Sequence, residues 1–282
     1  VLELGRSNRP ALFNLRYRKP EPFVERYLRF EVGERVSVDG EILRPLNEDE
    51  VLDVVRQIRE LGIVSIAICF LHSYANPAHE ERCAQLIHEV YPEAFVTPSH
   101  KICREWREYE RTSTAVLNAY VQQVAATYVE ALRAILHERG ISERLYVMQS
   151  NGGIMTFEQA KSSPISLVES GPVAGVAGAL VIGKATGRQD VITLDIGGTT
   201  AKISLVQRGE MRLTTEYNID RRPDFPGFPI RIPVVDIVEI GAGGGSIISI
   251  DEAGGLSVGP RSAGAVPGPA CYPGGGRGAY RH

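Results

Sequence analysis

The sequence predicts an α/β protein, because segments with helical periodicity alternate with short apolar runs of strand type. The first helix is predicted to begin after Asn47, whose side chain can cap it, and to stop at Gly62. Its apolar residues recur at helical spacing from Val51 to Leu61. The run Ile63–Phe70 follows at once and is rich in β-branched residues, which predicts a buried strand of a parallel sheet.

Two further helices and a strand continue this alternation. A second helix is predicted over Pro77–Val90, and a long one over about Arg104–Arg139, where Gly140 ends it. Leu145–Met148 is predicted to be the next buried strand, and the turn Ser150–Gly153 follows it.

The middle of the chain is predicted to hold a helix and a strand hairpin. The helix covers about Pro172–Lys184 and is rich in glycine and alanine, so that it can approach another backbone closely. The strands Val191–Asp195 and Ala201–Val206 flank the tight turn Ile196–Thr200. After the hairpin, glycine and proline interrupt the chain repeatedly, as in the turn Gly241–Ser246.

Three segments are expected from this order of elements. Residues 1–46 contain four prolines among short alternating runs, and they suit a connecting segment from an N-terminal domain outside the chain. Residues 47–185 suit an α/β lobe that contains the long helix and the glycine-rich helix. Residues 186–282 suit a second lobe with the hairpin and the late glycine turn. Since the chain begins without methionine and ends in a glycine-rich loop, we expect both ends to be cut.

Composition excludes two classes of partner. The 31 lysines and arginines against 34 acids give a net charge of -3, which offers no strong field to a nucleic-acid backbone. The longest apolar run, Ile63–Leu71, is far shorter than the roughly 20 residues of a membrane helix, and no cleavable leader is seen. With four cysteines but no CxxC pair, and with no zinc-type histidine spacing, the sequence suits a reduced, cytoplasmic protein.

The hairpin turn is the first candidate site. Gly197 and Gly198 leave the backbone bare, so that their amides and the hydroxyls of Thr199 and Thr200 can donate to a phosphate. Asp195 repels phosphate, and its useful role would be to hold a hydrated Mg²⁺ or to orient a water molecule. The alternative is a Gly-Gly hairpin whose aspartate merely caps the turn.

A second glycine turn follows the strand-like run Ile237–Ile240. It is a place where a ligand could lie against bare backbone, or it is a purely structural turn. No GxxxxGK[ST] loop is present, and no GxGxxG follows a strand and opens a helix, which excludes P-loop and Rossmann proteins. The candidate binding residues of this turn are Gly241, Gly243, Gly244, Gly245 and Ser246.

Two weaker candidates lie earlier in the chain. Asn151, Gly152 and Gly153 follow a strand end, where ligand crevices form in α/β proteins, and they are expected to line a cleft. Glu110 and Arg111 open the long helix and are either solvated charges or residues on the substrate side.

The order of glycine-rich helix, Asp-Ile-Gly-Gly-Thr-Thr hairpin and late glycine turn resembles the ribonuclease H-like ATPase fold of actin, hexokinase-type sugar kinases and heat-shock chaperones. The resemblance implies that the helix connects two domains, with Gly171 at the nucleotide, and that the hairpin is the second phosphate loop. It implies that the turn at Gly241–Gly245 borders the adenosine.

Within that superfamily, five motifs along the chain resemble the hydantoinase A/oxoprolinase family, which includes N-methylhydantoinase A, 5-oxoprolinase and subunits of acetone and acetophenone carboxylase. The motifs are Arg107–Thr114, Met148–Gly153, Glu169–Gly175, Ile240–Ile247 and Gly259–Tyr272. The resemblance implies ATP and Mg²⁺ as cofactors and phosphorylation of an amide or enolate oxygen. The implied substrate is a small cyclic amide or a ketone, and the implied partner is a second, hydantoinase B-type subunit or domain.

Two departures from the family leave alternatives open. Many members carry an acid where Lys202 stands, so that Lys202 faces a phosphate, pairs with another acid or extends from its strand into solvent. The first phosphate loop of the superfamily, another Asp-x-Gly-Gly-Thr, does not precede Asp195. We therefore expect an incomplete ATPase fold, with lactam or hydantoin ring opening as the leading function. A ketone carboxylase subunit and a non-catalytic assembly or regulatory module are the alternatives.

Overall fold

A computed structural model describes residues 1–6, 13–17, 21–141, 144–221, 225–269 and 272–273. The contacts divide the chain into two compact units. The first unit comprises residues 1–149, 154–168 and 215–233, and the second comprises residues 150–153, 169–214 and 234–282.

The helices and strands alternate through the first half of the chain, and strands dominate the second half. The α-helices of the described residues are α1 (Glu48–Glu60), α2 (Ala78–Val90), α3 (Ser99–Ile102), α4 (Glu108–Glu138), α5 (Phe157–Ser162) and α6 (Ser170–Ala185). Short 3-10 helices cover Arg26–Leu28 and Pro164–Leu167.

The strands are β1 (Arg35–Val36), β2 (Ile42–Arg44), β3 (Ser65–Ile68), β4 (Phe95–Pro98), β5 (Tyr146–Met148), β6 (Ile154–Thr156), β7 (Val191–Ile196), β8 (Ala201–Gln207), β9 (Glu210–Met211), β10 (Leu213–Thr214), β11 (Tyr217–Ile219), β12 (Phe228–Ile230), β13 (Val234–Val235), β14 (Ile237–Ile240), β15 (Ser246–Ile250) and β16 (Leu256–Ser262).

The core of the first unit forms where α1 and α2 pack around β3 and β4. The predicted cap is confirmed, because the side chain of Asn47 accepts a hydrogen bond from the Glu50 amide at 3.3 Å. Val55 lies at the centre of the buried face of α1, whereas Leu61, at the C-cap, is exposed because the helix has ended there. The predicted strand at Ile63–Phe70 is observed as the shorter β3.

The parallel pair of this unit joins β3 to β4, as the sequence predicts for β3. The strand β4 itself is absent from the prediction, because it offers only two apolar residues before Thr97 and Pro98. The long helix α4 begins at Glu108 rather than near Arg104. Cys103, the C-cap of α3, and Arg107, the N-cap of α4, both have extended backbone, so that the helix cannot start between them.

The predicted strand at Leu145–Met148 is observed, but the prediction that it is buried was wrong. This segment is β5, which pairs antiparallel with β6, and Tyr146 at its start is 54% exposed. The turn Ser150–Gly153 lies between these two strands in sequence, as predicted. Because two short antiparallel strands carry few residues, their apolar run cannot be distinguished in the sequence from a central strand.

The second unit is built on a four-stranded antiparallel sheet with the strand order β14-β8-β7, and β9 pairs with β8. The predicted hairpin is confirmed, and its six residue pairs run from Val191 opposite Val206 to Ile196 opposite Ala201. The glycine-rich helix, observed as α6, packs on β7 and β8 and begins at Ser170, two residues before its predicted start.

One face of this sheet is apolar and exposed. Ile192, Leu194 and Ile196 of β7 are 73%, 59% and 61% exposed, and Val238 on β14 is 60% exposed. The alternate residues Ser204 and Val206 of β8 are buried on the other side. The alternation in the sequence therefore gives the period of the strands but not the face that is covered.

The two units divide the chain differently from the three expected segments. Residues 169–185 group with the hairpin sheet rather than with the preceding lobe, because α6 packs on β7 and β8. Residues 215–233 group with the first unit, because β12 packs on α4. No helix within the described ranges combines the length and the apolar character that crossing a membrane requires.

Candidate functional site

The turn of the β7–β8 hairpin presents bare backbone at the end of its two strands. The amide of Gly197 donates to the carbonyl oxygen of Thr200 at 3.0 Å and closes the turn. Gly197, Gly198 and Thr199 are exposed, and Thr200 is half-buried. Within the described residues, no hydrogen bond engages the amide nitrogens of Gly198, Thr199 and Thr200. Three adjacent amide donors therefore remain at the turn.

The structure brings the second glycine turn directly onto the first. The amide of Gly244 donates to the Gly197 carbonyl oxygen at 3.0 Å, and the amide of Gly245 donates to the Gly198 carbonyl oxygen at 2.7 Å. These bonds turn the carbonyl groups of the hairpin toward the second loop. The two loops that the sequence singled out separately thus form one backbone unit.

Glycine is required at the point where the loops touch. A Cβ atom at Gly243 would lie 2.7 Å from the Gly197 carbonyl oxygen and 2.8 Å from the carbonyl carbons of Gly198 and Thr199. A Cβ atom at Gly259 would lie 1.9 Å from the carbonyl oxygen of Gly241, and the φ of Gly259 is +72°. A side chain at either position would force the backbone of the neighbouring loop to move.

The amides of four residues in the second turn are engaged within the protein, and the prediction that a ligand lies against this backbone stays a prediction. The amide of Gly243 donates to the Ser246 hydroxyl at 2.8 Å, and the Ser246 amide donates to the Gly243 carbonyl oxygen at 3.0 Å. Since Gly244 and Gly245 donate to the carbonyl oxygens of the hairpin, their amides support the backbone of the hairpin turn.

Charged side chains surround the hairpin on one face of the sheet. Asp195 is exposed and stands opposite Lys202 in the β7–β8 register, and Lys202 stands opposite Glu239 in the β8–β14 register. The Lys202 ammonium lies 2.5 Å from a carboxylate oxygen of Glu169 and 3.5 Å from one of Glu239. Partial burial opposes the charge, but the two carboxylates outweigh it and raise the pKa of Lys202 above its usual value. Of the roles left open by the sequence, pairing with acids is the one observed.

The N-terminus of α6 lies at the same face as Lys202. Glu169 is the N-cap residue and has a left-handed backbone with φ of 58°. Gly171 is exposed, and a Cβ atom there would meet nothing within 4 Å. Its predicted place at a nucleotide stays a prediction. Glu169 opens one of the family motifs, but its role could not be predicted from the sequence, because its partner Lys202 is 33 residues away.

Asn151, Gly152 and Gly153 belong to the same unit as the hairpin. The Asn151 side chain accepts a hydrogen bond from the Gly153 amide at 2.8 Å, which tightens the turn. A Cβ atom at Gly152 would lie 2.6 Å from the Cε atom of Met211. Packing against β9 accounts for this glycine, and the predicted role in lining a cleft remains a prediction.

Glu110 and Arg111 lie in the first unit and are both buried. The Arg111 guanidinium donates to the carbonyl oxygens of Phe70 at 2.6 Å and Glu105 at 2.9 Å. Glu110 forms an ion pair with Arg6. The burial of Glu110 and Arg111 contradicts the interpretation as solvated charges, whereas the predicted place on the substrate side stays a prediction.

A cavity that the sequence did not predict opens beside this ion pair. Its volume is about 130 Å³, and Arg6, Tyr109, Asn218 and Arg231 contribute to its lining. The lining residues come from the start of the chain, from α4 and from the β11–β12 hairpin. Such a combination of distant segments leaves no local signal in the sequence.

A buried carboxylate of α2 contacts the residues that follow the carboxyl ends of β3 and β4. Glu80 is fully buried and accepts hydrogen bonds from the Ser99 hydroxyl at 2.6 Å and from the amides of Phe70 and His100 at 2.9 Å and 3.0 Å. The Nδ1 atom of His100 lies 2.7 Å from it. Burial opposes ionisation, but these partners outweigh it and hold the pKa of Glu80 below its usual value. Glu80 therefore joins the two strand ends as a carboxylate.

Neither a disulfide nor a metal cluster is formed by the described residues. Cys69, Cys83 and Cys103 are free thiols, as predicted, whereas Cys271 lies outside the described residues. Burial raises the pKa of Cys83 to about 12, so that this thiol stays protonated. No group of three or more Asp, Glu, His or Cys in the described ranges is arranged to hold a metal ion. Asp195 could therefore contribute only one ligand to a largely hydrated cation.

Most of the chain matches two models of known protein families. Residues 111–279 match the model of the Hydantoinase/oxoprolinase family, and residues 1–91 match the model of the Hydantoinase/oxoprolinase N-terminal region. An uncharacterised protein of Methanocaldococcus jannaschii is 40% identical over 278 residues, which are 96% of this chain and 41% of that protein. Caprolactamase subunit alpha of Pseudomonas jessenii is 35% identical over 275 residues, which are 98% of this chain and 39% of that subunit.

Two solved structures share the fold. The crystal structure of ATP-dependent caprolactamase from Pseudomonas jessenii matches with a TM-score of 0.79 and 34% identity, over 96% of this chain and 38% of that chain. The nucleotide-free structure of acetone carboxylase matches with a TM-score of 0.69 and 30% identity, over 87% of this chain and 34% of that chain. Both neighbours support the mixed α/β class that the sequence predicts.

The chain spans about two fifths, or less, of the length of these relatives. The matches nonetheless cover its β7–β8 hairpin, its glycine-rich helix and its late glycine turn together. On this evidence the chain belongs to the hydantoinase/oxoprolinase family.

Proposed function

We propose that the chain is the ATP-binding core of an enzyme that opens a cyclic amide, such as a lactam or a hydantoin. The observation that carries this proposal is the pair of glycine loops in the second unit. The second loop fixes the carbonyl groups of Gly197 and Gly198, and it leaves the amides of Gly198, Thr199 and Thr200 for an anion. The similarity to ATP-dependent caprolactamase supports ATP as the source of that anion.

The hairpin fits the phosphates of a nucleotide. The amides of Gly198, Thr199 and Thr200 are adjacent, and the glycine at 198 has open space at its Cβ position. Both threonines add a hydroxyl donor. Successive backbone amides in a turn form the kind of concave donor set that binds phosphate in proteins. Lys202, held on the neighbouring strand, would add the nearest positive charge.

Asp195 fits a role beside Mg²⁺ or beside an attacking water. Its carboxylate is exposed at the end of β7, next to the turn that would hold the phosphates. Because it carries the same sign of charge as a phosphate, a cation between the two would offset their repulsion. When bound, ATP would supply a phosphoryl group that makes an amide oxygen a competent leaving group or holds a ketone as an enolate phosphate, a competent nucleophile.

The larger assembly is also proposed. We infer a ribonuclease H-like ATPase fold of the actin and hexokinase type, whose first phosphate loop lies in polypeptide outside the residues described here. A cytoplasmic location and a hydantoinase B-type partner subunit or domain belong to the same proposal. The names of the relatives support a partner, because the caprolactamase match is called a subunit.

A ketone carboxylase subunit is the second candidate function. Acetone carboxylase, an enzyme of ATP-dependent acetone carboxylation, is among the solved structures that share the fold. Activation of a ketone as an enolate phosphate would use the same phosphate hairpin. The two candidates differ in the acceptor and agree in the role of Asp195 and of the three amides.

The test is phosphate release from ATP-Mg²⁺ by the protein with its partner subunit, in the presence of one acceptor at a time. The acceptors are caprolactam, hydantoin, 5-oxoproline, and acetone with bicarbonate. The variant Asp195→Ala is expected to lower turnover by about 100-fold, the size of effect seen when a preorganised catalytic group is removed. A cyclic amide is expected to stimulate phosphate release most.

The control for this test is Asp190→Ala. Asp190 precedes the same strand at its other end, where its carboxylate accepts a hydrogen bond from the Arg208 amide at 2.9 Å. Turnover of this variant is expected to equal that of the unmodified protein. Equal turnover of Asp195→Ala and Asp190→Ala would reject the role of Asp195, and stimulation by acetone with bicarbonate alone would select the carboxylase.

A further inference from the structure

An ion pair ties the hairpin sheet to the first turn of α6. The ammonium of Lys202, in β8, and the carboxylate of Glu169, the N-cap of α6, are 2.5 Å apart. Both side chains are 18% exposed, so that water screens this pair less than a surface pair. Glu239, at 3.5 Å from the same ammonium, is 49% exposed and is the weaker partner.

Glu169 has a backbone that glycine would adopt more easily. Its φ of 58° and ψ of 12° lie in the left-handed region, which costs a residue with a Cβ atom free energy. Its side chain makes no cap hydrogen bond to the helix, although its carbonyl oxygen accepts one from the Val173 amide at 3.0 Å. The carboxylate thus stabilises Lys202 rather than its own helix.

The position of Lys202 links this pair to the proposed nucleotide site. Lys202 is two residues after Thr200 and stands directly opposite Asp195. A polyphosphate bound at the Gly198–Thr200 amides would bring several negative charges next to the Lys202 ammonium, which is already paired with Glu169. A polyphosphate carries several negative charges and Glu169 carries one, and both form charge-assisted contacts with an ammonium, so that the two anions compete for one cation.

We propose that Glu169 is a positioning residue that holds Lys202, and with it the first turn of α6, until a bound polyphosphate takes over the ammonium. This inference rests on the proposed function, because it names how the same phosphate site is regulated. The exchange breaks no covalent bond, and it replaces one carboxylate by one phosphate oxygen at the Nζ atom. Release of Glu169 relieves its left-handed backbone and loosens the start of the helix.

The test measures affinity by calorimetry for two probes, ATP-Mg²⁺ and inorganic tripolyphosphate. The variant Glu169→Gln removes the competing charge, and it is expected to tighten both probes by about tenfold, since a ligand no longer has to displace a bound partner. The variant Lys202→Met is expected to weaken both by about tenfold. In the double variant, Glu169→Gln is expected to have no further effect, because the ammonium for which it competed is gone.

Two further measurements separate positioning from simple stability. Glu169→Asp keeps the charge one methylene further from Lys202, and it is expected to change affinity in the same direction by a smaller factor. Hydrogen exchange of the Val173 amide is expected to become faster when ATP-Mg²⁺ is added to the unmodified protein. Circular dichroism identifies any variant that has lost its fold.

Lys161 provides a matched control in the first unit. Its ammonium also pairs with two carboxylates, those of Glu130 and Glu158, and its side chain is 22% exposed. Lys161→Met is expected to leave the affinity for both probes unchanged. A loss equal to that of Lys202→Met would overturn the proposal, because any buried lysine would then have the same effect.

The remaining outcomes separate this inference from the proposed function. An unchanged or weaker affinity in Glu169→Gln, or a gain that persists in the double variant, overturns the role of Glu169 while ATP binding stands. Binding of tripolyphosphate with the expected variant effects, but without any preference for ATP-Mg²⁺, overturns the nucleotide assignment alone. Binding of neither probe overturns both.

Discussion

The two units of the chain are held together in different ways. In the first unit, side chains meet in the interior, where the apolar faces of α1 and α2 enclose β3 and a buried carboxylate joins two strand ends. In the second unit, the key contacts run from backbone to backbone, and one face of the sheet is apolar and exposed. The first unit should therefore respond to changes of side chain, and the second to the addition of a single Cβ atom.

The largest effect is expected for Glu80→Gln in the first unit. The amide cannot accept from all the donors that surround Glu80, and breaking a buried charged network costs about 3–5 kcal/mol. The free energy of unfolding, measured by urea titration at pH 7, is expected to fall by that amount.

The same variant gives a pH test. Because the pKa of Glu80 is lowered in the folded protein from its ordinary value of about 4.5, its stabilising effect is complete above about pH 4.5 and is lost as the pH falls through the lower, folded pKa. Glu80→Gln removes this dependence, so that the two proteins are expected to converge in stability in acid. A constant difference between pH 7 and pH 3 would contradict this account.

The next effect is expected for Gly243→Ala in the second unit. The added methyl would lie 2.7–2.8 Å from backbone atoms of the hairpin turn, and such overlap costs about 1–3 kcal/mol. Hydrogen exchange of the Gly244 and Gly245 amides is expected to become faster, and ATP affinity is expected to fall with it. Gly254→Ala, at a glycine with open space but a positive φ, controls for backbone strain alone.

The smallest effect is expected when the same substitution, isoleucine to alanine, is made in one strand of each unit. Ile66→Ala in β3, where the residue is 8% exposed, is expected to cost about 2 kcal/mol through the cavity that it leaves. Ile192→Ala in β7, where the residue is 73% exposed, is expected to change stability by less than about 0.5 kcal/mol. Thermal unfolding of both variants measures the contrast, and equal losses would show that the face of β7 is covered in solution.

The elements with strong local signals could be predicted from the sequence. Asn47 with the acids after it fixes the start of α1, and the Gly-Gly pair between alternating strands fixes the β7–β8 hairpin. The strand β4 gives a weak signal, because two apolar residues and a proline do not distinguish a strand from a loop.

The contacts of the candidate site could not be predicted from the sequence and are seen only in the structure. Nothing local in Gly241–Ser246 reveals that Gly243 meets the hairpin turn, since the partners are distant in the sequence. Glu80 and Glu81 are neighbours in one helix, yet only Glu80 is fully buried, and composition cannot separate them. The alternation of β7 predicted its period, whereas the packing of α6 decided which face is covered.

The contact between Gly243 and the hairpin also limits how the site can diversify. Atoms of the main chain are the same in every protein, so that a loop built from them offers no side chain through which a new acceptor could be selected. Under the proposed function, differences in the acceptor must then arise in neighbouring segments, while the backbone that would hold the phosphates stays the same. The same pair of glycine loops could in this way serve relatives that act on different small molecules.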